Sequence, residues 1–151
     1  MSENVSEKVS EKMISAVFEY PVLIRETHLD LFGHVNNAVY LELFEEARWD
    51  IVSPRGFSVE TIQATGHGPV VLEIKIKFIR ELRVREKIVI RTWCASYTGK
   101  VGTLIQVMMN ERGEEACRAE FVYGLFDLNK RRLIAPTPEW LAAIGIETRS
   151  T

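Results

Sequence analysis

Cysteine is scarce in this 151-residue chain, with two residues, Cys94 and Cys117, and that is too few for a disulfide scaffold. Both lie in apolar alternating runs, so they are expected to be buried, reduced thiols, which points to a cytoplasmic setting. No run of ~20 apolar residues is present, so no helix is expected to insert into a membrane. The opening MSENVSEKVSEKMISAVF has neither the basic start nor the apolar stretch of an export signal. Its tandem VSEK, at residues 5–8 and 9–12, is read as a mobile arm, residues 1–14, ahead of a single domain at residues 15–146. A formal net charge of -2 supplies no global field to recruit nucleic acid. Also missing are G-x-S-x-G, a phosphate-binding G-x-x-x-x-G-K, G-x-G-x-x-G, H-x-x-x-H and any Cys/His cluster, so neither a metal nor a bound cofactor is expected.

What is present is globular: 46% hydrophobic and 26% charged residues. The charge is segregated. Residues 26–50 hold six acidic side chains against Arg48, whereas residues 75–100 hold eight basic ones against Glu81 and Glu86. The basic stretch is either an anion site or a solvated strand face.

Residues 17–26 are β-branched and aromatic, with Pro21 placing them at an edge or a bulge. Tyr40, Phe44, Ala47 and Ile51, spaced four, three and four apart, predict a helix over residues 38–53, capped by Asn36 or Asn37 and stopped by Pro54 and Gly56. Residues 57–68 form a connection with one helical turn. In PVVLEIKIKFI, Val70, Leu72, Ile74, Ile76 and Phe78 alternate with more polar positions as on a half-buried strand. Residues 86–97, 101–110 and 115–127 are further strands, and the four are expected to form an antiparallel meander. Pro136 and Pro138 lead into a short helix at residues 139–144. One apolar helix followed by an alternating sheet buries both faces if the sheet curls around the helix, an α+β arrangement.

The segment THLDLFGHVNNAVYLELFEEAR carries the candidate chemistry. Gly33 permits a tight turn that could fold Asp30 toward the helix start, where free amides and the positive end of the helix dipole converge. Such a place can polarise a carbonyl and hold the oxyanion formed on attack. An aspartate there also serves as a cap or loop-ordering residue, and His28 and His34 as structural hydrogen-bonding groups. Phe32, Trp49 and Phe57 line an apolar pocket or fill the core.

The combination of Asp30, Gly33, Tyr40 and Glu45-Glu46-Ala47-Arg48 over about residues 19–127 resembles the hotdog-fold acyl-CoA thioesterases, in the 4-hydroxybenzoyl-CoA thioesterase-like branch. The resemblance implies a sheet wrapped around one long central helix. It assigns Asp30 as base or nucleophile and the Asn37 amide as the group that polarises the carbonyl. The segment is also similar to the D-x-N-x-H-V-N-N of plant acyl-carrier-protein thioesterases, which makes His34 a supporting candidate although Phe32 replaces an asparagine. A homodimer or homotetramer is implied, with Glu73 or His67 of a neighbour approaching Asp30. Substrate binding falls to Gly33, Tyr40 and Lys100, the last for the phosphates of an acyl-CoA whose coenzyme A is part of the substrate. Two other outcomes stay open: a hotdog hydratase or dehydratase acting on enoyl or hydroxyacyl thioesters, and a non-catalytic acyl-thioester-binding protein.

Overall fold

The computed structural model describes residues 12–147, so most of the expected arm at residues 1–14 lies outside the described residues. Strand β1 (Phe18–Leu23) is followed by helix α1 (Asn37–Val52), which runs into a 3₁₀ turn at Ser53–Arg55. Helix α2 (Val59–Thr65) leads to β2 (His67–Phe78), β3 (Lys87–Thr98), β4 (Val101–Met109) and β5 (Glu115–Asp127). Short β6 (Arg132–Ile134) and helix α3 (Pro138–Ala143) close the fold.

The sheet is antiparallel with the order β1-β3-β4-β5-β2, β6 pairing with β5. The four-strand meander therefore needs correcting: only β3, β4 and β5 form one, and β2 crosses to the far side of β5. The connection over residues 79–86 is too long for a tight hairpin and lets the chain cross the end of the sheet. Pro21 sits on edge strand β1, where its missing donor costs least.

The helix stripe read from the sequence is the core. Tyr40, Leu43, Phe44, Ala47, Ile51 and Val52 are buried against the concave face of the sheet, and Phe44 meets Phe121 edge-on at 6.1 Å. Each such large side chain removed from water stabilises the fold by roughly 1.5–3 kcal/mol. Phe57 also belongs here, packed on Trp140, whereas Phe32 does not: it is 84% exposed. A smaller apolar cluster, Trp93, Ile105 and Val107, lies on the opposite face.

Strand β2 departs from the simple alternation. A bulge between Val71 and Glu73 leaves Leu72 without a partner, and the phase slips by one residue. Val71, Ile74, Ile76 and Phe78 pair with Tyr123, Phe121, Ala119 and Cys117 and share their helix-facing side, while Val70 falls on the other. This strand is also less buried than its pattern promises: Leu72, Ile74 and Phe78 are 43–49% exposed, because β2 is an edge that the helix does not cover.

Both cysteines are free and buried. Burial pushes the Cys117 thiol up to about 12 and raises Cys94 as well, and the thiolate is the reactive form. Neither thiol is expected to react with a disulfide reagent at pH 8 in the folded protein, and both should react in guanidinium; reaction timed before and after unfolding checks this.

Candidate active site

The loop ahead of α1 is a closed turn. Leu29 and Val35 form an isolated bridge, Asp30 N–H donates to His34 O at 2.7 Å, and Gly33 N–H donates to Asp30 O at 3.1 Å. Gly33 takes φ 79°, the left-handed conformation the turn requires and side-chain-bearing residues resist. Asp30 Oδ1 accepts from Phe32 N at 2.8 Å and His34 N at 3.2 Å. One carboxylate oxygen is thus spent on ordering the loop, and the other has no partner among the described residues. Leu31 and Phe32 at the tip are exposed.

The loop delivers the chain directly to the helix. Asn36 N–H donates to His28 O, and Asn36 is the cap, its Oδ1 accepting from Ala38 N at 2.9 Å. Val39 N–H donates to Asn36 O. Among the described residues the Asn37 N–H has no acceptor, so an amide at the positive end of a 16-residue helix stays available. The pair of asparagines divides the work: one caps, the next leaves its amide free.

His28 Nδ1 accepts from Arg25 N at 2.9 Å and holds the 3₁₀ turn Glu26–His28. His34 Nδ1 lies 2.7 Å from Glu81 Oε1, both side chains more than half exposed, so the imidazole pairs with the β2–β3 connection and not with the Asp30 carboxylate. A pair so exposed contributes little. His34→Ala is accordingly expected to change kcat less than about tenfold, well short of the 10²–10⁴-fold typical of losing a proton-transfer group; steady-state kinetics decide it.

The remaining sequence candidates are spread out. Tyr40 is a core residue whose ring meets Phe78 edge-on at 5.0 Å. Glu73 follows the β2 bulge and pairs with Val122 on the sheet face away from the helix. Lys100 occupies the β3–β4 turn, and its backbone oxygen lies where a Cβ on Gly124 would stand, 2.5 Å away. By strand register Lys100 and His67 mark one end of the sheet, while Phe78, Lys87 and the Asp30 loop mark the other. Within one chain, then, Asp30, Gly33, His34 and Asn37 come together and Lys100 does not join them. The basic stretch is likewise divided. Arg80 pairs with Glu114, Arg85 with Glu26 through two hydrogen bonds, and Arg91 with Glu19, so three of its eight basic side chains are committed to separate local partners.

A cavity of about 330 Å³ lies between the C-terminal half of α1 and the concave sheet face, with Trp49, Val52, Val71, Leu104, Phe121 and Trp140 among its walls. A polar groove of about 380 Å³ runs between residues 80–86 and the β4–β5 turn. Neither is lined by Asp30. Beside the first lies a buried polar chain that sequence reasoning missed. Arg48 Nη1 donates to Gln106 Oε1 at 2.9 Å, and Gln106 Nε2 donates to Thr92 Oγ1 and Phe44 O, each at 3.0 Å. Its signal was available: Gln106 interrupts the apolar run TLIQVMM, and Arg48 lies within the helix stripe.

Comparison with known proteins agrees with this architecture. The pattern of the Thioesterase-like superfamily matches residues 24–145. The long-chain acyl-CoA thioesterase FadM of Escherichia coli (strain K12) is 33% identical over 115 residues, 76% of this chain and 86% of that protein. The crystal structure of YbaW, a probable thioesterase from Escherichia coli, superposes with a TM-score of 0.74 at 30% identity, covering 85% of this chain and 98% of that one. SAV2348 from Staphylococcus aureus, solved in complex with CoA, has the same fold, with a TM-score of 0.79 at 18% identity over 94% of this chain and 93% of that one. The chain belongs to the thioesterase-like superfamily, with the hotdog fold, and is a thioester hydrolase.

Proposed function

We propose that this protein hydrolyses acyl-CoA thioesters as a homodimer or a higher assembly built from that dimer, in the cytoplasm. The observation that carries the reading is the free Asn37 amide at the mouth of α1, reached through a loop whose shape is set by the Asp30 carboxylate. The thioester carbonyl accepts a hydrogen bond from Asn37 N–H, and the helix dipole stabilises the oxyanion as it forms. The free Asp30 oxygen either takes a proton from the attacking water or itself attacks the carbonyl carbon. The tetrahedral adduct then expels the coenzyme A thiolate, a good leaving group; where Asp30 attacked, water hydrolyses the resulting mixed anhydride to free acid and restores the carboxylate. The long-chain acyl-CoA activity of FadM and the CoA bound to SAV2348 support the choice of carrier.

The dimer is supported by β2, a 12-residue edge strand with exposed Leu72, Ile74 and Phe78. A two-fold axis pairing β2 antiparallel with its own copy lays the His67 end of each strand beside the Phe78 end of the other. Lys100 and His67 of the second copy then approach the Asp30 loop and close a site that one chain leaves open, while Glu73, on the face away from the helices, stays outside it. Thiol release from acyl-CoAs of graded chain length tests the reading. Release of free thiol with equimolar acid is expected. Water addition to a crotonyl thioester without thiol release would make the protein a hydratase, and saturable binding without turnover would make it a carrier.

A further inference from the structure

The cavity between α1 and β2 contains a feature that binding a plain hydrocarbon does not call for. Its walls are apolar except for Arg48, Glu45, Thr92 and the Tyr123 hydroxyl, which is spent on Cys94 Sγ. The Arg48 guanidinium lies over the Phe121 ring, 4.4 Å from its centroid, and spends one hydrogen bond on Gln106 Oε1. Gln106 is fully buried, and its amide nitrogen serves two acceptors, so its oxygen faces Arg48 and the guanidinium is fixed in place. Among the described residues Arg48 has no carboxylate within salt-bridge distance and no second acceptor. Arginine keeps its charge and carries five N–H donors in a rigid fork. Arg48 is half-buried, so its unspent donors face the cavity opening and remain free for a ligand to take up in place of water. The desolvation is sensed at Arg48 itself, whose affinity for its proton burial lowers.

The cavity also lies at the far end of the helix from the Asn37 amide of the same chain. Asn37 to Arg48 is eleven residues, roughly 16 Å along an α-helix. Its wall includes Pro69, Val70 and Val71, on the part of β2 that the two-fold pairing places beside the second copy's helix start. An acyl chain whose thioester sits at one copy's Asn37 would therefore run into the other copy's cavity.

We infer that this cavity is a tail pocket supplied in trans, and that Arg48, positioned by Gln106 over Phe121, selects acyl chains ending in a carboxylate, as in the mono-CoA thioesters of dicarboxylic acids. The inference rests on the dimeric thioesterase reading above. Glu45 on the cavity wall acts on Arg48 without reaching salt-bridge distance, so the ligand carboxylate supplies the direct ion pair and two oxygens for the free edge of the fork, and the methylenes fill the apolar walls. Its volume is at the small end of ligand pockets, about 300–1,000 Å³, which suits a medium-length chain.

The test compares decanoyl-CoA with decanedioyl-CoA in a thiol-release assay, and calorimetric binding of 1-decanol with decanoic acid. Wild type is expected to favour decanedioyl-CoA by about tenfold or more in kcat/KM, chiefly through KM, and to bind decanoic acid more tightly than 1-decanol. Arg48→Met should abolish that ratio, and Arg48→Lys, which keeps the charge and loses the fork, should leave a reduced one. An equal kcat/KM for the two thioesters in wild type, or a ratio unchanged by Arg48→Met, overturns the inference. The wild-type comparison stands alone if the methionine variant does not fold. Absence of thiol release from either substrate would instead sink the thioesterase reading, while acid binding would still report on the pocket.

Discussion

Asp30→Asn is expected to lower kcat for acyl-CoA hydrolysis by at least ~10²-fold while leaving the fold intact, a loss worth about 2.7 kcal/mol of barrier. The substitution suits the site because one carboxylate oxygen is structural. Asparagine can present its side-chain oxygen to Phe32 N and His34 N as Asp30 Oδ1 does, so the turn that leads into α1 is preserved. What is lost is the second oxygen, replaced by an amide that neither accepts a proton nor attacks a carbonyl. Activity and melting temperature should therefore separate: a large fall in the first with little change in the second. Asp30→Ala removes both oxygens and should lower both. If asparagine supported the wild-type rate, Asp30 would be a loop-ordering residue and nothing more, and catalysis would have to be sought elsewhere.

The second large effect is expected on the edge of the sheet. Ile74 is 43% exposed in one chain and faces the same side of β2 as Ile76 and Phe78. Two copies pairing along β2 would bury it, and a lysine there would place a charge in that seam, a standard device for keeping edge strands apart. Ile74→Lys is expected to sediment as a monomer and to lose thiol-release activity by ~10²-fold or more. The loss follows from a site completed by the second copy. A monomeric variant with full activity would show that one chain suffices, and a variant that remains dimeric would move the interface elsewhere.

The sequence was informative where local pattern and tertiary packing agree. The α1 stripe from Tyr40 to Ile51 was legible because helical period and burial coincide, and Asn36-Asn37 marked the helix start because capping is a local event. Strand order was less legible. Nothing local distinguishes β2 beside β3 from β2 beside β5, since that choice depends on which sheet edge the connection at residues 79–86 reaches. The Leu72 bulge escaped because either phase of VVLEIKIKF leaves an apolar face, and only pairing with β5 shows the slip. At the candidate site, the Asp30 turn and the helix start beside Asn37 were legible because both are local, and the roles assigned to the two residues come from the family resemblance. The Arg48–Gln106–Thr92 chain was not legible, because three polar residues on three elements meet only through the register of β3 with β4 and the seat of the helix on them. The basic stretch suggested one anion site, yet Arg80, Arg85 and Arg91 point to different acidic partners at different places on the fold.

The central claim is geometric and is most directly tested by a crystal structure with a non-hydrolysable acyl-CoA analogue in which a methylene replaces the thioester sulfur. The acyl oxygen is expected within hydrogen-bond distance of Asn37 N, with the unspent Asp30 oxygen facing the carbonyl carbon and the β2 strand of a second copy closing the far side. An analogue whose carbonyl lies away from the start of α1, with Asp30 touching only its own loop, would contradict the assignment of these two residues.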